Sequence, residues 1–404
     1  MLYVTEASDV SMGETHTCIV DQGGRARCVG YDFSGYYVLG DGTSQSSNAL
    51  VNVSSLQSGV AQVFSSTVAN CALMTTGAAR CWGYNYYGVL GSGNTSTPTQ
   101  PVQVIGFETS GAVLIAMGEH HTCFLSAQGK ILCTGSNENG QLGVGSSVDS
   151  NKPNPVLGQA TNMVFVSVSC GFQHSCAVSD TGAVLCWGEN RADQVGLGSN
   201  TVAFTLPQKP IVSGASSVWV NDDNTLVIMS DGTAMVFGEN AFGVLGTGNT
   251  VTVRTPTPFA SGVGNIKELR GGEQATCVLF LDDTIQCLGS NTKGQFGTGS
   301  TTPQSSLVLV SRLTGAALAP TVPVTLKPTS MAPTTMTPTQ RPTDVPTTLA
   351  PTMLPTPSPT RAPTLPTAQP TRRPTRQGGF GEDGGAASSS PTIALAVLSI
   401  LLLA

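Results

Sequence analysis

Apolar runs in this chain are short and are broken by Gly, Asn, Asp and Ser, the punctuation of strands and turns rather than of amphipathic helices. The pattern is periodic. A β-prone run leads into Gly-x-x-His-Thr-Cys or a variant, as from Gly13 to Cys18, Gly118 to Cys123 and Gly171 to Cys176. A short apolar strand follows, then a turn with Gly at Gly24, Gly77, Gly129, Gly182 and Gly232, or Asp283 in the last unit. A second strand opens on Cys-Trp-Gly-x-Asn or its variants, and a Gly-rich stretch such as Gly88, Gly91 and Gly93 closes the unit. Six such units follow at spacings of 50 to 53 residues. In the fifth, Leu226 and Val236 replace both cysteines. This period, with three or four short strands per unit, predicts an all-β fold, a β-propeller. It has six blades, or seven with one lost at the N-terminus.

The cysteines carry a register argument. Ten of eleven fall in pairs ten residues apart: Cys18/Cys28, Cys71/Cys81, Cys123/Cys133, Cys176/Cys186 and Cys277/Cys287. If Asp180, Thr181 and Gly182 form a three-residue hairpin loop with Gly182 left-handed, Ser179 faces Ala183 and Cys176 faces Cys186. That is a non-hydrogen-bonded pair, with Cα atoms about 4.5 Å apart, close enough for a disulfide. Five intra-blade disulfides are expected, with Cys170 left as a buried free thiol.

The units resemble the repeats of the regulator of chromosome condensation family. The third unit carries the match at Gly118, His121, Thr122, Gly129, Gly135, Asn137, Gly140, Gly143 and Gly145, and the fourth at Gly171, His174, Ser175, Gly182, Trp187, Gly188, Asn190, Gly196 and Gly198. Departures include Tyr36 and Tyr37 inserted in the first unit, Asp193 for a glycine, and Ala69 and Ala275 for the histidine. The resemblance implies a propeller and, in its founding member, guanine-nucleotide exchange on a small GTPase. The chain opens partway into a unit, so the last strand is expected to complete the first blade and close the ring.

Charge changes the list of partners. Residues 1–318 hold 12 Lys/Arg against 21 Asp/Glu, net −9, which disfavours nucleic acid. Residues 319–376 carry 15 Pro and 17 Thr and cannot build a core, and the segment 319–377 reads as an extended, O-glycosylated stalk. Residues 378–392 supply a small-residue site and polar spacer, and 393–404 an apolar tail. Their order fits a glycosylphosphatidylinositol attachment signal with attachment at Asp383 or Gly384; a tail anchor is the alternative. Residues 1–9 lack the features of a signal peptide, so the leader is expected upstream. Asn52 and Asn94 begin N-glycosylation sequons.

Catalytic candidates are few. His16, His121 and His174 recur at one repeat position and read as structural groups bonded to backbone. The glycine motifs are turns, not phosphate cradles, and no unit offers a four-ligand zinc set. No catalytic residue, metal or cofactor is assigned. The expectation is a non-enzymatic, cell-surface module that binds protein or glycan through rim loops, with Tyr36, Tyr37, Tyr86, Tyr87 and Phe242 as the candidate contact patch. An exchange factor for a small GTPase and a structural coat or adhesion protein are the alternatives.

Overall fold

The computed structural model describes residues 7–312 except 159–162, 200, 209–210 and 273. These residues form six antiparallel four-stranded sheets, each from consecutive strands, spanning 7–52, 60–103, 112–155, 165–204, 215–258 and 266–312. Blade four shows the plan: Phe165–Cys170 innermost, then His174–Ser179, Val184–Glu189 and Ala203–Phe204 outermost. One expectation fails. The final strand, Gln304–Arg312, pairs with Thr284–Gly289 of its own blade and does not complete the first. Blade one already has four strands of its own, so its edge is filled locally.

The hairpin arithmetic holds. In each cysteine-bearing blade the second strand meets the third with the two cysteines directly opposite: Cys18 and Cys28, Cys71 and Cys81, Cys123 and Cys133, Cys176 and Cys186, Cys277 and Cys287. All five pairs are bridged, with Cα atoms 4.0 to 4.1 Å apart. The third-strand partners Cys28, Cys81, Cys133, Cys186 and Cys287 are fully buried, so the bridges staple the interior and are not part of any surface site. Gly182 has φ 79°, the left-handed position the loop requires, and Asp283 takes the same role at φ 60°. In blade five, Leu226 and Val236 pair in the cysteine register and are fully buried, so packing replaces the bridge.

The core lies between blades. Cys123, Cys133 and Leu142 of blade three pack on Phe165, Val168 and Trp187 of blade four, and each later blade meets its predecessor similarly. At the turns a backbone bond ties each seam: the N–H groups of Val60, Ala112, Phe165, Ala215 and Ile266 donate to Gly24, Gly77, Gly129, Gly182 and Gly232 of the blade before, at 2.9 to 3.0 Å. The seam between blades six and one differs. Among the described residues no such bond joins Asp283 to Ala7, and the apolar sets Cys277, Leu279, Cys287, Phe296 and Ala7, Val10, Ile19 form separate clusters.

Candidate functional site: an aromatic rim and its buried supports

Two side-chain systems hold the loops of the rim on which strands one and two, and strands three and four, are joined. In the first, His121 Nε2 lies 2.8 Å from Ser175 Oγ, and that hydroxyl donates to the Gln141 carbonyl at 3.0 Å. The hydroxyl proton is spent on Gln141, so His121 must donate its Nε2–H. His174 does the same to Thr225, which donates to Gln194, and His16 to the Asn70 amide oxygen, whose Nδ2 donates to Val38. The expected backbone partner is therefore replaced by a side chain of the next blade. All three rings are neutral Nε2–H tautomers by this logic, and burial pushes His121 and His174 down to about 3.

The second system is a buried Asn two residues after the glycine that ends the third strand's repeat signature, as Asn137 follows Gly135. Asn137 Nδ2 donates to the carbonyls of Ser146 (2.9 Å) and Val148 (3.0 Å), while its Oδ1 accepts from the Leu142 N–H (2.9 Å). Asn85, Asn190 and Asn240 repeat both halves of this knot, and Asn291 repeats it with one carbonyl, that of Ser300. Each one thereby fixes a long loop that has no sheet of its own. In blade one the position is Asp32. Its Oδ2 accepts from Leu39 N–H, its Oδ1 is buried with no partner among the described residues, and desolvation outweighs the neighbouring backbone N–H groups to raise its carboxyl above the usual range.

On these supports lies a continuous string of rings. Tyr31 meets Phe33 edge-on (4.9 Å between centroids), Phe33 meets Tyr36 (5.4 Å), and Tyr36 stacks on Tyr84 of blade two (4.5 Å). Tyr84 stacks on Tyr86 (6.3 Å), Tyr86 meets Tyr87 edge-on (5.1 Å), and Tyr87 meets His120 of blade three (4.9 Å). Three blades thus share one aromatic ribbon, with Tyr31 at 54% and Tyr86 at 64% exposure. Beside it opens a cavity of about 230 Å³ lined by Tyr86, Tyr87, Thr95, Asp149, Ser150 and Asn151.

Of the candidate patch, Tyr36, Tyr86 and Tyr87 come together. Tyr37 makes none of these ring contacts and instead takes the left-handed turn of the insertion at φ 55°. Phe242, 44% exposed, sits on blade five outside the ribbon. Sequence reading missed His120, which lies outside the repeat position, and the carboxylates of Asp149 and Glu138, whose proximity to Tyr87 arises only across a seam. Asn52 and Asn94 are exposed, the latter accepting from the Ser96 N–H at 3.0 Å. Asp383, Gly384 and the segments from 319 onward lie outside the described residues.

The axial channel, about 600 Å³, is lined by the inner strands of blades two to six. In it the Arg270 guanidinium lies 4.2 Å over the Trp219 ring and pairs with Glu268. His121, Cys123 and Cys170 place ligand-type atoms within 4.8 Å of one another. However, the Cys123 sulfur is committed to Cys133, and burial pushes the free Cys170 thiol up to about 12. That thiol is a packing group rather than a nucleophile.

Comparison with known proteins gives the geometry its relatives. The regulator of chromosome condensation (RCC1) repeat matches residues 77–125 and 128–178, and a second form of it residues 112–141 and 165–194. The Ultraviolet-B receptor UVR8 of Arabidopsis thaliana is 30% identical over 234 residues, covering 57% of this chain and 52% of that protein. Probable E3 ubiquitin-protein ligase HERC6 of Homo sapiens is 27% identical over 252 residues, covering 60% of this chain and 24% of its own length. The chain thus spans about half of the first relative and a quarter of the second. Among solved structures, human WBSCR16 matches with a TM-score of 0.65 at 19% identity, over 77% of this chain and 83% of that one. Prp20p of Saccharomyces cerevisiae matches at 0.64 and 18%, over 75% and 76%. At such identities the fold alone is shared. With its repeat signature over residues 77–194, its hairpin register and its six blades together, the chain carries RCC1 repeats and has the β-propeller fold of the proteins built from them.

Proposed function

We propose that this chain is a binding module displayed at the cell surface, a disulfide-stapled propeller on a glycosylated stalk, tethered through a lipid-anchor signal with attachment at Asp383 or Gly384, and that it catalyses nothing. The observation that carries the reading is the aromatic ribbon across three blades. Rings exposed on a rim, held by buried Asn and His supports, are expensive to leave in water without a partner, and Tyr is favoured at interfaces. Five buried disulfides support an oxidising compartment. They weigh against the exchange-factor reading, which needs a cytosolic GTPase. Phosphatidylinositol-specific phospholipase on intact cells should release the chain into the medium, where it should run with its ten paired cysteines resistant to alkylation without reductant. Retention on cells together with free thiols at those positions would overturn the reading and restore the exchange-factor alternative.

A further inference from the structure

We infer that the pocket beside Tyr86 and Tyr87 takes a cationic side chain, the ammonium of a lysine or guanidinium of an arginine, from a basic segment of a partner protein; this rests on the reading of the rim as a binding face. The pocket supplies what a desolvated cation needs. Aromatic faces carry negative potential and attract ammonium and guanidinium groups within about 6 Å. Tyr86 and Tyr87 stand edge to face at 5.1 Å, so the pocket is bounded by two rings set nearly at right angles.

The carboxylates are placed to match. Asp149 lines the pocket, and one of its oxygens accepts the Asn137 N–H at 2.8 Å, which anchors the side chain in the loop. Glu138, exposed, occupies in blade three the repeat position that Tyr86 holds in blade two. Burial first, and both carboxylates with it, make the Tyr87 phenol hold its proton more tightly. No Lys or Arg lines the pocket. The net charge of −9 over residues 1–318 extends the same preference to the approach of a basic partner. Beside the pocket, a Cβ on Gly88 would lie 2.4 Å from the Cα of Asn151, a lining residue, so the backbones of blade two and blade three approach closely there. About 230 Å³ accommodates the end of one long side chain and little more.

The test titrates the full chain with hexalysine, hexaglutamate and a neutral chitohexaose at low salt, following heat of binding. Hexalysine should bind and the other two should not. Tyr86→Ala and Asp149→Asn should each weaken hexalysine about three- to five-fold and together more than ten-fold, with Asp149→Asn retaining an acceptor for Asn137. The pair Asp180→Asn and Asp231→Asn removes two exposed carboxylates from the opposite rim and should leave binding unchanged. If that pair weakens hexalysine as much as Asp149→Asn does, the effect is diffuse charge and the pocket assignment falls. If chitohexaose binds in a Tyr86-dependent way and hexalysine does not, the cationic assignment falls while the binding rim stands. If no ligand senses Tyr86, both fall.

Discussion

Acid should unfold this propeller through its inter-blade histidines. His121 and His174 are fully buried, neutral donors whose folded-state values lie near 3, against about 6.5 for an unfolded chain. A base with a depressed folded value binds protons mainly when unfolded. Stability is therefore fully present above about pH 6.5 and is lost as pH falls from there toward 3. Between pH 7 and pH 5 each ring should cost about 2 kcal/mol, and the pair about 4 kcal/mol. His16 shifts in the same direction and adds to the loss, while Asp9 and Asp32, whose carboxyls are raised by burial, oppose it. Urea titrations at the two pH values, read by the fluorescence of buried Trp82 and Trp187, measure the sum. The variants His121→Gln and His174→Gln isolate the cause, since the Gln amide keeps a donor near the Nε2 position but does not titrate. Each should flatten the pH dependence by about 2 kcal/mol. A histidine-to-glutamine pair with the same acid sensitivity as the parent would refute the reasoning.

Other expectations concern single supports. Asp32→Asn should stabilise by about 2 kcal/mol at pH 7, by relieving an orphaned buried oxygen and donating to loop carbonyls as Asn137 does. The gain should shrink as pH falls and Asp32 takes up its proton, which thermal melts at several pH values would show. Replacing Cys176 and Cys186 by Ser should cost about 3 kcal/mol for a loop this short. Cys176→Leu with Cys186→Val, the blade-five pair, should recover part of it in the same denaturant assay. Among the described residues the seam between blades six and one lacks the tie found at the other five, so hydrogen exchange should be faster at Ala7–Met12 and Gln304–Arg312 than at His121–Ser126.

What could be read from the sequence was local. The disulfide register follows from one loop length counted outward from Gly182, and nothing beyond that hairpin enters the argument; the same count places Cys28, Cys81 and Cys287 opposite their partners. The partners of His16, His121 and His174 lie 51 to 54 residues away, across a seam whose rotation no spacing encodes. The aromatic ribbon was half visible: Tyr86 and Tyr87 are adjacent in sequence, but the stack of Tyr36 on Tyr84 depends on the two-residue insertion that brings blade one's loop to blade two. Asp32 was legible in principle, since it occupies the Asn position, but its consequence required knowing that the Asn donates twice into its own loop.

The Gly-x-x-His spacing, read at first as a blade signature, has a steric cause that leads to one more test. A Cβ on Gly118 would lie 2.5 Å from the His121 ring and 2.4 Å from the Gly171 carbonyl, and Gly13 and Gly171 are crowded in the same way. Where the histidine is missing the need for glycine goes with it: Ser66 precedes Ala69, Asn221 precedes Asn224, and Gly272, ahead of Ala275, has open space around it. The cost reappears in the next blade. Thr122 and Thr276, which hold in blades three and six the repeat position that Ser175 holds in blade four, have buried hydroxyls with no partner among the described residues. Ala69→His alone should destabilise, because the ring meets the Ser66 Cβ. Combined with Ser66→Gly it should donate to Thr122 and gain about 1 kcal/mol over the parent. The two changes should therefore be strongly non-additive in a double-mutant cycle. If they simply add, glycine and histidine are independent, and the spacing needs another explanation.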